Sequence, residues 1–385
     1  MAEGAETQFP NTLKNDYYSR ILSRLVNCQV EDVKVNKISR YKWKSDVTYT
    51  KDGKEGEISL MIKKFPDNEK NSFYPAYKSD MYESDMIKFL SRPPLNGPVP
   101  AIYDNIIFDK ALLMEHIPGV TLSEKVNDET DKTEYVKYID ASIKSYAELQ
   151  NKATANKSLL NQNNKSLIFI PDGDYFESKF IEYVKEISTK KELPGKLEKE
   201  LKKEFSSLKN ILTGDEFVHG DLHPKNIIIQ NGKGVKVTFL DFADSYIGNG
   251  LADIASMLYY PSFDLKNDEI NNYLNVYYDS KYEGQTVPEK KNFDFINKFK
   301  QIAFFRTLRS AAGIMSYKDS DPIAYSHDME NNPQHIDNNW FLNKALSMNE
   351  SSLEGLQARI KETLPKEIID NLQNHQQKIS EQKET

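Results

Sequence analysis

The chain is poor in cysteine: Cys28 is the only one among 385 residues. A disulfide within the chain and a cysteine-based zinc site are therefore both excluded. No apolar run approaches the roughly 18 to 20 residues that a membrane helix needs, and the first ten residues lack the pattern of a secretory signal. Basic residues (51) are fewer than acidic ones (58), unlike the basic face of a nucleic-acid binder. We expect a cytoplasmic globular protein with neither a nucleic-acid nor a membrane partner.

Apolar residues are ample, and their spacing divides the chain into parts. Hydrophobic residues make up 38% of the sequence, which is enough for a substantial core. Strand-like alternation dominates up to residue 119, with a hairpin signal at Asp52-Gly53, and helical spacing dominates after it. We predict a lead-in helix, a β-rich lobe that ends in a hinge, a helical lobe and a polar tail, at residues 1–27, 28–119, 120–364 and 365–385.

The two lobes differ in their predicted elements. The β-rich lobe has five strand-like runs and one helix near residues 80–90. In the helical lobe, apolar residues recur at helical spacing over 135–149, 174–187 and 196–212, whereas the Asn-, Lys- and Ser-rich segment 150–165 predicts a surface loop. The predicted class is α+β, with a small antiparallel β lobe and a larger helical lobe.

One stretch carries an ordered set of polar residues that suits phosphate chemistry. It reads His-Gly-Asp-Leu-His-Pro-Lys-Asn at 219–226, and Leu-Asp-Phe follows at 240–242. Phosphoryl transfer needs a carboxylate to orient the acceptor hydroxyl, and an amide oxygen with a second carboxylate to hold magnesium against the phosphates. Asp221, Asn226 and Asp241 have the chemistry and the spacing for these three roles.

This stretch resembles the aminoglycoside phosphotransferase and choline kinase superfamily, a branch of the protein-kinase-like fold. Residues 219–226 resemble its catalytic loop, 240–242 its magnesium-binding segment, and 250–255 the start of its following helix. The resemblance implies a bilobal protein-kinase-like fold with the active site in the cleft.

The resemblance also implies roles for single residues. Asp221 would act as the catalytic base or position the hydroxyl, Asn226 and Asp241 would bind Mg²⁺, and Asp253 would brace the catalytic loop through its backbone amides. The phosphate donor would be ATP or GTP. The acceptor would be a hydroxyl group of a small molecule such as an aminoglycoside, an amino alcohol, a sugar or an amino acid. The implied enzyme is a small-molecule kinase.

The β-rich lobe contains matching donor-site residues in the order that the family requires. A kinase places a strand lysine on the phosphates and pairs it with a helix glutamate. Alternation over residues 58–65 puts Lys63 on the same face as Met61, so Lys63 is the first candidate and Lys64 the second. Glu83, near the start of the next helix, is the predicted partner of this lysine.

Two other segments of this lobe bear on the nucleotide. The strand-like run at 112–119 resembles the family's hinge, where backbone groups of Glu115 to Ile117 would bind adenine. The segment 39–46, at the place of the phosphate loop, contains no glycine, and glycine normally lets backbone amides approach phosphate. Side chains would have to replace those amides, and the candidates are Arg40, Lys42, Lys44 and Ser45. Without such a replacement, the alternative function is a nucleotide-binding pseudokinase or regulatory protein that has no turnover.

The histidines near Asp221 would also suit a metal site. His219, Asp221 and His223 alternate and could bind a metal in a metallohydrolase, although no second histidine pair follows. A kinase that acts on proteins is disfavoured, because Gly220 and His223 stand where protein kinases carry Arg and Lys. Asp244 is either a third carboxylate at the magnesium site or a turn residue.

Charged residues further along the chain allow two interpretations each. Arg306 and Arg309 lie on one helix face, where they either meet a negative group of the substrate or form surface or inter-helix salt bridges. The acidic segment 318–337 is either a rim that attracts a cationic acceptor or a solvated loop.

Overall fold

A computed structural model of the protein describes residues 20–21, 29–39, 42–65, 80–106, 111–128, 132–164, 168–190, 192–232, 234–263, 265–283, 293–320, 338–348, 350–366, 368–370 and 372–373. The chain divides into two compact units, and each is described by itself. The sheet unit comprises Met1–Thr121, Ala155–Phe169 and Asn226–Ser245, and the helical unit comprises Leu122–Thr154, Ile170–Lys225 and Tyr246–Thr385.

The sheet unit is built on a five-stranded antiparallel sheet. Its strands are β1 (Gln29–Ser39), β2 (Lys42–Lys51), β3 (Lys54–Lys64), β4 (Ile102–Ile106) and β5 (Ala111–Glu115). They lie in the order β1-β2-β3-β5-β4. The hairpin between β2 and β3 turns at Asp52 and Gly53, whose φ angles of 53° and 73° are those that a two-residue hairpin turn requires.

Alternation along the strands gives this sheet one apolar and one polar face. The buried side chains of the apolar face are Trp43, Val47, Leu60, Ile62 and Leu113. Trp43 pairs with Ile62 across β2 and β3, and Ile62 pairs with Leu113 across β3 and β5. Because successive side chains of a strand point to opposite faces, Lys42, Met61 and Lys63 lie on the other face.

Two further elements of the sheet unit position functional residues. Helix α1 (Asp80–Ser91) packs on β4 and β5 and buries Glu83. A second sheet is formed by β6 (Val120–Thr121), β8 (Ile227–Asn231) and β9 (Val235–Phe239), and a 3-10 turn at Pro224–Asn226 precedes β8. Gly119 precedes β6 with a φ of 148°, and a Cβ there would lie 2.6 Å from the Ile229 carbonyl oxygen, so only glycine fits.

The helical unit surrounds a short antiparallel pair of strands, β7 (Glu216–Val218) and β10 (Tyr246–Gly248). Its helices are α2 (Leu122–Asp128), α3 (Lys132–Ala155), α4 (Gly173–Ile187), α5 (Gly195–Leu212), α6 (Leu251–Leu258), α7 (Asn267–Lys281), α8 (Phe293–Ser320), α9 (Asn338–Leu346) and α10 (Glu354–Thr363), with a 3-10 turn at Ser351–Leu353.

Aromatic side chains fill the core of the helical unit. Phe180 of α4 stacks on Phe205 of α5 with ring centroids 4.4 Å apart, and Phe176 meets Phe305 of α8 edge-on at 5.7 Å. Helix α4 starts at an N-cap, Asp172, whose side chain accepts a hydrogen bond from the Tyr175 N–H at 2.8 Å. Helix α8 packs against α4, α6 and α9 and thereby fixes the position of its buried polar residues.

The predicted class is confirmed, but one predicted element is wrong. A small antiparallel β unit and a larger helical unit are present, as α+β patterning indicates. The surface loop predicted at 150–165 is helical instead: α3 continues to Ala155, and a 3-10 turn spans Lys157–Asn164. Ala153 and Leu160 are buried there, so tertiary packing stabilises a segment whose polar composition favours a loop.

Several predicted segments lie largely outside the described residues. The lead-in helix at 1–27 is described only at residues 20–21, the acidic segment 318–337 only at 318–320, and the polar tail only as far as 373. Of the helices in the described ranges, none combines the length and the apolar character needed to cross a membrane.

Candidate functional site

Lys63 stands at the centre of a charged cluster in the sheet unit. Its Nζ donates to Glu83 Oε2 at 2.8 Å and to Asp241 Oδ1 at 2.7 Å. Lys63 comes from β3, Glu83 from α1 and Asp241 from the segment after β9, so three separate elements converge on one ammonium group. The Glu83 side chain is only 1% exposed, and Lys63 therefore replaces water as the partner of its carboxylate.

Burial and charge act against each other in this cluster. Burial alone would lower the pKa of Lys63, but the carboxylates of Asp241 and Glu83 raise this pKa above its usual value. Burial raises the pKa of Glu83, and the positive charge of Lys63 opposes that rise. Lys63 is therefore protonated at neutral pH, which is the state that can bind an anion.

The cluster lines a cavity of about 150 Å³. The apolar side chains that line it come from both sheets of the unit and from the segments that follow them: Met61, Met114, Ile117, Ile228 and Leu240. Lys42 and Glu115 also line the cavity. An apolar chamber with a lysine–carboxylate cluster in its wall can accept a flat apolar group that carries an anionic tail.

The backbone of the segment after β5 borders this cavity. The Glu115 N–H donates to the Ala101 carbonyl at 2.8 Å, and the His116 N–H donates to the Ser59 carbonyl at 3.3 Å. These two amide hydrogens are committed within the protein. The predicted hinge contact with a base would therefore use other backbone groups of the Glu115–Ile117 segment.

Asn226 and Asp241 stand at the same end of the β8–β9 hairpin. Ile227 pairs with Phe239 in this hairpin, and the Leu240 N–H donates to the Asn226 carbonyl at 2.9 Å. Asp241 has a φ of 67°, a left-handed conformation that costs a non-glycine residue about 1 to 3 kcal/mol. An amide oxygen and a carboxylate from neighbouring chain segments form a donor set that fits Mg²⁺, which favours oxygen ligands.

In the helical unit, Asp253 holds the loop that contains Asp221. Its Oδ2 accepts a hydrogen bond from the His219 N–H at 2.7 Å, and its Oδ1 accepts one from the Gly220 N–H at 3.0 Å. Asp253 is buried in the first turn of α6, and its Oδ2 also accepts a hydrogen bond from the Tyr146 hydroxyl. These two backbone hydrogen bonds confirm the bracing contact that the resemblance implied.

Two arginines of α8 hold the same loop through a carbonyl group. Arg306 Nη2 donates to the Gly220 carbonyl oxygen at 2.6 Å, and Arg309 Nη1 donates to it at 2.7 Å. Arg306 Nε also donates to Ser256 Oγ at 2.7 Å. Both arginines are buried, so their placement corrects the interpretation of this pair as surface salt-bridge residues. Gly220 is thus held at both its N–H and its carbonyl, with a φ of 85° that suits glycine.

The Asp221 carboxylate lies beside His223, at 3.5 Å between Oδ2 and Nε2. The His223 ring stacks on Tyr260 with centroids 5.5 Å apart. Partial burial would raise the pKa of Asp221, but the charge and hydrogen bond of His223 and the charges of Arg309 and Arg306 hold that pKa well below its usual value. Asp221 is therefore ionised over the whole physiological pH range.

The metallohydrolase alternative would place a metal at His219, Asp221 and His223. Among the residues that the structure describes, no group of three or more His, Cys, Asp or Glu could hold a metal, so nothing there favours the metallohydrolase. His219 Nδ1 instead accepts a hydrogen bond from the Asp221 N–H at 3.3 Å.

Asp244 lies in a turn three residues after Asp241, and a magnesium-binding role for it stays a prediction.

The structure brings most of the predicted site residues of the sheet unit together. Lys63 rather than Lys64 contacts Glu83 and Asp241, and the Glu115–Ile117 segment borders the same cavity. Asp221 belongs to the helical unit. Sequence patterns did not single out the apolar lining at Met114, Ile228 and Leu240, although each of these residues stands beside a predicted motif.

Comparisons with known proteins show the family and the fold of this chain. A model of the phosphotransferase enzyme family matches residues 45–284. The structure of the gentamicin–APH(2")-IIa complex is similar, with a TM-score of 0.54 and 14% identity over 90% of this chain and 98% of that chain. An ethanolamine kinase from Plasmodium vivax has a TM-score of 0.52 and 14% identity, covering 84% of this chain and 88% of that chain. No curated protein sequence matches. At such low identity the two structures show the fold alone, and they confirm the predicted kinase-like architecture.

Proposed function

We propose that this chain, which belongs to the phosphotransferase enzyme family, transfers the terminal phosphoryl group of a nucleoside triphosphate to a hydroxyl group of a small molecule. The family match spans more than half of the chain and confirms the predicted family and enzyme class. One observation supports the donor site most directly: Lys63 is bound at once to Glu83 and Asp241 in the wall of a cavity.

The proposed donor is ATP or GTP. Its base would lie between Met61 and Met114 on one side and Ile228 and Leu240 on the other, because these apolar side chains line the cavity. The Glu115 carbonyl and the Ile117 N–H would bind the edge of the base. The phosphates would meet Lys63, whose charge is held by the two carboxylates until a phosphate binds.

Asn226 and Asp241 would hold the Mg²⁺ that accompanies the donor phosphates. When bound, this ion neutralises charge on the phosphates. Asp241 would serve both Lys63 and this site, since its Oδ1 accepts from Lys63 and a carboxylate offers a second oxygen. Glu83 would keep Lys63 in place beside this site, because Lys63 Nζ also donates to its carboxylate.

Asp221 would orient the acceptor hydroxyl and take its proton. The attack transfers the phosphoryl group to the hydroxyl oxygen, and ADP or GDP leaves. The low pKa of Asp221 keeps it ionised, so it can accept the hydroxyl hydrogen bond, and the hold on His219 and Gly220 fixes its position. Phosphoryl transfer needs positioning and charge neutralisation more than covalent help, so a fixed loop suits it.

The acceptor is proposed only as a class: an aminoglycoside, an amino alcohol, a sugar or an amino acid. The two similar structures are a gentamicin complex and an ethanolamine kinase, and the substrate class of this chain is proposed by that analogy. The acidic segment 318–337, most of which lies outside the described residues, would favour an amine-bearing acceptor.

The test is release of ADP or GDP from Mg-ATP and Mg-GTP across a panel of aminoglycosides, amino alcohols, free sugars and amino acids. Wild-type protein is compared with Asp241→Ala and with Asp174→Ala, a matched control whose side chain is 85% exposed on α4. We expect release that depends on one acceptor class, is lost in Asp241→Ala and is kept in Asp174→Ala.

Two different outcomes would contradict the proposal in different ways. Nucleotide that raises the melting temperature without turnover on any acceptor would favour the pseudokinase. If nucleotide neither supports turnover nor raises the melting temperature, the proposed donor site is wrong as well.

A further inference from the structure

The hairpin between β1 and β2 lacks the backbone device that commonly holds donor phosphates. A glycine-rich segment lets amide hydrogens approach phosphate closely, yet residues 39–46 contain no glycine. Ser39 pairs with Lys42, so only two residues, Arg40 and Tyr41, separate the strands, and both lie outside the described residues.

The backbone N–H and C=O groups of β2 face a paired strand on each side, because β2 lies between β1 and β3. It pairs with β1 along one edge from Lys42 to Thr50, and with β3 along the other edge from Lys42 to Lys51. Amide hydrogens within an inner strand are bound in the ladders. Among the described residues of this hairpin, the groups left to meet phosphate charge are therefore the side chains that β2 presents on the same face as Lys63.

Among the side chains of β2, that of Lys42 reaches the cluster formed by Lys63, Glu83 and Asp241. It stands directly opposite Lys63 in the β2–β3 ladder, so the two side chains share a face. Lys42 Nζ lies 3.9 Å from Asp241 Oδ2, while Lys63 Nζ lies 2.7 Å from Asp241 Oδ1. Both lysines line the cavity. Two like charges placed opposite each other destabilise a sheet, and a bound anion removes that cost.

Lys44, on the same strand, differs from Lys42 because it already has a close ion-pair partner. It lies two residues after Lys42 on the same face, but its Nζ is bound to Asp46 Oδ1 at 3.0 Å. The contact of Lys42 is longer, and its side chain is 38% exposed. Lys42 can thus turn from Asp241 to a ligand, whereas Lys44 already has a close partner.

We propose that Lys42 is a second phosphate-binding lysine of the donor site, and that with Lys63 it takes the place of a glycine-rich phosphate loop. The inference rests on the proposed function, because it assigns a residue to the same donor site. It requires that Lys42 contribute to the affinity for nucleotide phosphates and not to the affinity for the base.

The experiment measures calorimetric affinities for ATP, ADP and adenosine with Lys42→Gln, Lys42→Arg and the matched control Lys44→Gln. In Lys42→Gln we expect ATP to bind about tenfold more weakly or worse, because a charge-assisted contact is lost, and ADP to lose less. Adenosine affinity should stay within about twofold in all variants. Lys42→Arg keeps the charge and should restore most of the ATP affinity, and Lys44→Gln should resemble wild type.

Melting temperatures separate loss of binding from loss of folding. Lys42→Gln removes a charge that stands opposite Lys63 and also 3.9 Å from Asp241 Oδ2, so its melting temperature without ligand should stay close to that of the wild type. ATP binding by Lys42→Gln at wild-type affinity would overturn the inference and leave the donor site standing. An equal loss for ATP and adenosine would overturn it too, since Lys42 would then only support the cavity. A wild-type protein that binds none of the three ligands would overturn both the donor site and the role of Lys42.

Discussion

The sheet unit contains the cluster of Lys63, Glu83 and Asp241, and the helical unit contains the loop with Asp221. The two hold their carboxylates in different ways. Asp241 is held through its side chain by the Lys63 ammonium group, and it remains 26% exposed. Asp221 contacts His223 through its side chain, but its loop is held through hydrogen bonds to the backbone of His219 and Gly220 that come from buried side chains.

The difference shows which site can rearrange. A side-chain ion pair can be exchanged for a ligand of the same charge, so under the proposed function Lys63 would pass from Asp241 to a phosphate. A backbone group held in a buried site has no such substitute, because breaking its hydrogen bond leaves an unsatisfied polar group. Under the proposed function, the sheet unit would therefore suit the exchange of ligands, and the loop of the helical unit would suit fixed positioning.

The largest effect expected is that of Asp221→Asn. The amide cannot take a proton from the acceptor hydroxyl, so kcat should fall by about 10²- to 10⁴-fold. The affinity for the donor nucleotide should stay close to wild type, because the proposed donor site uses residues of the sheet unit. Steady-state kinetics and calorimetry measure the two quantities. A parallel loss of nucleotide affinity would contradict the separation of binding from positioning.

A smaller effect is expected for Lys63→Met, with Lys64→Met as its neighbour control. Loss of the charged contact should weaken donor binding by about 10- to 100-fold. The buried Glu83 carboxylate loses its partner, so the melting temperature should also fall. Lys64→Met should change neither quantity by much. Equal effects of both substitutions on nucleotide affinity would show that the assignment of Lys63 by strand alternation is wrong.

The smallest effect is expected for Arg309→Gln, and it is read from the pH profile. Arg309 is one of the charges that keep the pKa of Asp221 low, so removing it raises this pKa in the folded protein. Asp221 must be ionised to act, and activity is lost as pH falls through its pKa. The acid limb of kcat/KM should therefore move to higher pH, so that kcat/KM falls at acidic pH and stays close to wild type at neutral pH. Arg309→Lys keeps the charge and should leave the limb near the wild-type position. A uniform loss at every pH in both variants would mean that Arg309 only supports the loop.

Local patterns correctly predicted that Lys63, rather than Lys64, meets Glu83, and its role at a donor site stays a prediction. The alternation that puts Lys63 on the same face as Met61 is a property of any β-strand, and the register of β3 with β2 and β5 agrees with it. The pairing of Lys63 with Glu83 follows from the order of strand and helix that the resemblance supplied. The predicted roles of Asp221, Asn226 and Asp241 stay predictions until kinetics test them.

Long-range contacts account for what the sequence could not predict. Arg306 and Arg309 are 86 and 89 residues away from Gly220, and no local signal links a helix face to one loop carbonyl at that separation. The helical course of residues 150–164 was missed for the same kind of reason, since Gln150 donates a hydrogen bond to the Phe217 carbonyl at 3.0 Å and thus depends on a distant strand.

The amino-acid sequence by itself determined the class of the fold, the order of its motifs and the chemistry available to them, because periodicity, turn residues and residue type are local properties. Only the tertiary structure decided which charges meet. It placed Lys42 and Lys63 on one carboxylate, and it placed two arginines on the carbonyl beside Asp221. Such contacts depend on strand register and helix packing, which fix the distances between residues far apart in the chain.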